Sequence, residues 1–186
     1  MKKIIILILG LAMFIISCGG GSPKSKLESI MGNIQKGNLE EISEVSSNVK
    51  IDEIIPLKEG FSKITYKINS EQVNENQAVI NITVKTPDMS PFLQEYMGKL
   101  FPLIMNELKS GKSQEEIIKS PELKKVAEEF FKEKFKSDQL KYTEKTMDVN
   151  LKKENGKWEL EKGKNDEFIL TVTTFGITNI LNEIGK

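Results

Sequence analysis

Twice along this chain, apolar residues alternate strictly with polar ones, and the segment between the two stretches has a different period. Ile80, Ile82 and Val84 alternate with Asn81 and Thr83, and Met147, Val149 and Leu151 alternate with Asp148, Asn150 and Lys152. A period of two puts one set of side chains on one face of an extended chain, so both stretches read as half-buried strands. Each has a partner close by. Ile64, Tyr66 and Ile68 alternate ahead of the first, separated from it by the polar stretch 69–77. Trp158 and Leu160 resume the pattern beyond Asn155-Gly156, the dipeptide that two-residue hairpin turns favour. Two antiparallel hairpins follow, the second pairing 140–153 with 157–162, and the alternation places Trp158 on a buried face.

The remaining segments have helical spacing. Leu27, Ile30, Met31 and Ile34 fall on one stripe, with Gly37 as the stop; Asn38 then caps a second helix, with Glu41 as capping-box partner and Leu39, Ile42 and Val45 as its apolar face. Ser90-Pro91 supplies a cap and a first-turn proline for a helix running to about Lys109. Ser113 with Glu116 forms a capping box. Ser120-Pro121 starts a helix that buries Leu123, Val126, Ala127, Phe130, Phe131 and Phe135 and ends near Ser137. Residues 166–183 carry two signals. Leu170, Ile177, Leu181 and Ile184 fit a helix, Thr171 to Thr174 favour a strand, and the length favours a helix. The order predicts an α+β fold, a curved antiparallel sheet packed on helices with a helical insertion between two hairpins.

The amino terminus is of another kind. Lys2 and Lys3 precede the apolar run 4–16, which falls well short of the roughly 20 residues that a spanning helix needs and has the polarity of a secretory signal. It ends in Ile15-Ile16-Ser17-Cys18, which resembles the lipobox of bacterial lipoproteins. The resemblance implies cleavage before Cys18, acyl chains on its thiol, and a domain held outside the cytoplasm on the cell membrane or outer membrane. Cys18 is the only cysteine, so an exported chain would have no intramolecular disulfide partner for it. The expected organisation is a signal peptide over 1–17, a small, polar tether over 18–26, and one α+β domain over 27–186.

Composition narrows the chemistry. All 27 basic residues are lysine, balanced by 27 acidic ones, and there is no histidine. Nothing in that balance points to nucleic acid. Without imidazole no side chain titrates near neutrality unless its surroundings shift it far, and triads or dyads built on histidine are excluded. With the one thiol blocked, zinc and copper ligand sets are unavailable. Only oxygen sites for hard cations remain, and no aspartate-rich calcium loop appears, so neither a metal nor a cofactor is expected.

The helix containing Lys36-Gly37-Asn38-Leu39, the strand 147–151 and the run Asn155-Gly156-Lys157-Trp158-Glu159-Leu160 together resemble the cystatin-like, nuclear-transport-factor-two-like cone domains of many bacterial lipoproteins of unknown function. That resemblance implies a sheet wrapped around a helix, with a cavity at its wide end. Residues 91–108 stand out beside it because their apolar side chains exceed the stripe of about 100° that one packed helix face needs. The segment reads either as a core helix buried nearly all round, kinked at Pro102, or as a face for an apolar ligand or partner, with Phe92, Tyr96, Met97, Phe101 and Met105 as candidate contacts. Tyr66, Tyr96, Tyr142 and Asp148 are the groups that an enzyme in such a cone would use. The leading expectation is a non-enzymatic, lipid-anchored binding domain for an envelope protein or an apolar ligand. A cone-fold enzyme and an accessory solute-binding lipoprotein are the rivals.

Overall fold

The computed structural model describes residues 21–45 and 57–177, so Cys18, Leu181 and Ile184 lie outside the described residues. Within them the fold is α+β. Four antiparallel strands lie in the order β1-β2-β3-β4, with β1 Thr65–Asn74, β2 Gln77–Asp88, β3 Lys141–Glu154 and β4 Lys157–Leu160. The helices are α1 Pro23–Gln35, α2 Glu40–Val45, α3 Lys58–Phe61, α4 Leu93–Lys109, α5 Gln114–Ile118, α6 Pro121–Phe135 and α7 Asp166–Thr174. Helices α4 to α6 form the insertion between the two hairpins.

The alternating residues do what their period requires. Ile80, Ile82, Val84, Met147, Val149 and Leu151 are all buried, and Ile82 stands opposite Met147 in the register. Asn155 and Gly156 take φ of 50° and 81°, the left-handed pair of a tight hairpin turn, and Trp158 and Leu160 return to the core face. The first hairpin is longer than its apolar pattern. Both strands run through most of the polar stretch to a turn at Glu75-Asn76, because ladder hydrogen bonds need only backbone, and the outer half of β1 is exposed on both faces.

Helix α1 buries Leu27, Ile30, Met31 and Ile34 and closes as the sequence predicts. Gly37, at φ 77°, donates to Ile34 O at 2.8 Å, and Asn38 N donates to Asn33 O at 2.9 Å, the paired bonds of a Schellman cap. The helix starts at Pro23, inside the stretch expected to be tether, because Ser22 caps it through a bond from Ser25 N and Pro23 suits the first turn. Asn38 Oδ1 accepts from Glu40 N at 3.2 Å, while Glu41 pairs with Lys26.

Two expected caps lie elsewhere. At the start of the insertion the acceptor is Asp88, whose Oδ1 takes bonds from Ser90 N and Ser90 Oγ, and a single 3-10 turn, Ser90–Phe92, precedes α4. Ser120 Oγ donates to Glu107 Oε1 at 3.1 Å instead of capping α6. The ambiguous segment is helical over α7. Its buried residues are Phe168, Ile169, Val172 and Thr173, whereas Leu170 is exposed, so the buried face is rotated from the one its leucine and isoleucines suggest.

A chain of aromatic rings joins the helices. Phe61 lies 5.3 Å from Phe175, Phe175 5.6 Å from Phe135, Phe135 6.5 Å from Phe131, and Phe131 4.8 Å from Tyr96 on α4. Gly60 makes this possible, since a Cβ there would sit 2.7 Å from one ring carbon of Phe135 and 2.9 Å from one of Phe175.

Candidate functional site

Helix α4 contradicts the expectation of a core helix, for none of its residues is buried. The reason is that it packs on one side only, against α6 and the short α5. Leu93, Tyr96, Leu100, Leu103 and Ile104 form the half-covered arc, with Tyr96 against Phe130 and Phe131. Burial raises the pKa of the Tyr96 hydroxyl. Next to this arc is a second, open row made of Met97, Phe101, Met105 and Leu108, which are 48%, 60%, 37% and 48% exposed. Their spacing of four, four and three keeps them on one line along the helix. At 3.6 residues per turn the two rows together span about 200°, roughly twice what a single packed face requires.

The helix is held firmly at both ends. Near its start, Lys134 of α6 lies 2.8 Å from Glu95, which raises the lysine pKa, and its ammonium sits 5.4 Å above Phe92 and 5.3 Å above Phe130. Near its end, Glu107 takes hydrogen bonds from Lys112 and Ser120, and that charged partner holds its carboxyl below the ordinary range. The helix also runs unbroken through Pro102. Proline has no N–H, so the carbonyl of Gly98 lacks its i+4 donor. Both residues are exposed, and a Cβ on Gly98 would meet nothing within 4 Å.

Of the predicted contacts, Met97, Phe101 and Met105 lie together on the open row. Phe92 is buried beneath Lys134, and Tyr96 is half-buried in the aromatic chain. Leu108 completes the row and was legible as the next member of its spacing. The four groups considered for an enzyme are not brought together. Tyr66 lies on the core face of β1, Tyr96 on α4, Tyr142 is exposed at the start of β3, and Asp148 accepts a bond from Asn81 on the outer face of the sheet. A polar groove of about 360 Å³ beside α1 and α2 is lined by Lys26, Glu40, Glu41, Glu44 and Glu159 among others. Among the described residues no cluster of acidic or sulfur side chains could hold a metal ion, and no helix is long and apolar enough to cross a membrane.

Neither a family model nor a curated protein matches the chain. Among solved structures it is similar to that of a candidate lipoprotein, ycdA, from Bacillus subtilis, at 24% identity and a TM-score of 0.42. The match covers 82% of this chain and 47% of that one, so the chain spans about half the length of that protein.

Proposed function

We propose that this chain is a lipid-anchored, extracytoplasmic protein that binds an apolar partner through the outer row of α4, with no catalysis of its own. The observation that carries the reading is that row, four large apolar side chains left open on a helix fastened at both ends. Scattered exposed apolar residues need no explanation, but a contiguous line of them marks an interaction surface.

The anchor reading rests on Lys2-Lys3, the apolar run 4–16 and Ile15-Ile16-Ser17-Cys18. Only four residues separate Cys18 from Pro23, a reach of at most about 18 Å, so acyl chains on Cys18 would hold the start of α1 close to the bilayer. That end of α1 is fixed by Lys24 N donating to Glu71 of β1 at 3.0 Å, and Glu71 stands opposite Ile80 in β2. From Ile80 the strand runs roughly 25 Å to Asp88, where the insertion leading to α4 begins. The helix with the open row therefore starts from the opposite end of the sheet.

Two measurements test the reading. In detergent phase separation the full chain should enter the detergent phase and Cys18→Ser should not, since two acyl chains give stable binding where one is marginal. A full chain found in the aqueous phase overturns the anchor. At high dilution, where no second copy competes for the row, Phe101→Glu should change stability by no more than about 0.5 kcal/mol, as an exposed substitution does, and should weaken binding of an apolar fluorescent probe. A marked loss of stability that persists at that dilution would mean that Phe101 belongs to the core.

A further inference from the structure

We infer that the open row of α4 pairs with the same row of a second copy of this chain, the two helices antiparallel about a two-fold axis near Phe101 and Pro102. The inference rests on the binding reading above and names its partner.

The residues are arranged symmetrically about that point. An antiparallel match centred between 101 and 102 sets Met97 of each copy near Met105 of the other. Antiparallel packing also places each helix N-terminus against the opposite C-terminus.

The area suits such a contact. For side chains of roughly 200 Å² each, the exposed fractions of Met97, Phe101, Met105 and Leu108 leave on the order of 400 Å² of apolar surface. A standard interface takes about 800 Å² from each partner, a little over half of it apolar, so the row would supply most of the apolar centre. Gly98 fits the same picture. Glycine weakens a helix interior, and no neighbour among the described residues requires its missing side chain, whereas a second helix crossing there could approach closely. The membrane that would hold Cys18 is the less fitting occupant, because the insertion starts from the end of the sheet remote from the anchored end of α1.

Oxidative crosslinking of the full chain in native membranes tests this. Phe101→Cys should give a disulfide-linked species of twice the chain mass, and co-expression of Met97→Cys with Met105→Cys should give more of it than either variant alone. Val73→Cys, an equally exposed position at the far end of β1, should give none. Equal crosslinking at Val73 would indicate random collision and overturn the inference. So would an adduct at Phe101 of any other mass, which would mean a different protein occupies the row and would leave the binding reading standing. Absence of any adduct at Phe101 overturns pairing, and if Phe101→Glu also leaves probe binding unchanged, the binding reading fails with it.

Discussion

Trp158→Ala should lower the free energy of unfolding by about 3–5 kcal/mol, the range for removing a large aromatic side chain from a core. Trp158 is only 6% exposed although it belongs to a strand of four residues at one edge of the sheet. It stands opposite Lys153 in the register, and the Lys153 ammonium lies 5.8 Å from the ring centroid. Two contributions could therefore stabilise this site, and they separate by substitution. Lys153→Ala removes only the cation, worth at most about 1 kcal/mol at a surface position, whereas Trp158→Ala also opens a cavity beneath β4. Urea unfolding followed by far-UV circular dichroism reads both variants, and the wild-type emission, from the only tryptophan, reports burial independently. An emission maximum typical of exposed indole, with an unchanged midpoint for Trp158→Ala, would refute the register of the second hairpin.

That register was legible because period two and Asn155-Gly156 are local signals that agree with each other. The same holds for α1, where the stripe from Leu27 to Ile34 and the stop at Gly37 leave one reading. Sequence reasoning fell short where the outcome depended on residues distant along the chain. The apolar excess of α4 was visible, but whether a second element covers Met97 and Phe101 is decided by where α6 packs, and no helical period encodes that. Asp88 takes the capping role although Ser90-Pro91 makes a complete local signal without it. Gly60 carries no local signal, and its need for space comes from Phe135 and Phe175, which lie far along the chain. The polar stretch of the first hairpin failed as a pattern for a related reason, since its strands are held by backbone pairing with β2 rather than by buried side chains.

Asn165 is the clearest residue that periodicity could not reveal, and replacing it should have the other large effect. It is 2% exposed, just before α7, and its amide does the work of a short strand at the open edge of β3. Oδ1 accepts from Asn150 N at 2.8 Å, while Nδ2 donates to Asn150 O at 3.0 Å and to Glu161 O at 2.9 Å. Asn165→Ala leaves Asn150 N unpaired, while Asn150 O and Glu161 O keep the bonds they accept from Glu161 N and Lys164 N, and should cost about 1–3 kcal/mol. Asn165→Asp should cost more near neutral pH, about 3–5 kcal/mol, because a buried carboxylate would face two carbonyl oxygens where the amide donated. The two variants should also differ in their response to pH. Burial and the opposing carbonyls raise the pKa of the new carboxyl in the folded protein above the unfolded value of about 3.9. The folded state then holds the proton more tightly, so the deficit is smallest below that value, grows as pH rises to the folded pKa, and is constant above it. The deficit of Asn165→Ala relative to wild type should not vary with pH. Urea midpoints of wild type and both variants across the acidic range give the comparison, and equal deficits for Asp and Ala at every pH would mean that water, rather than the Asn165 amide, satisfies the edge of β3.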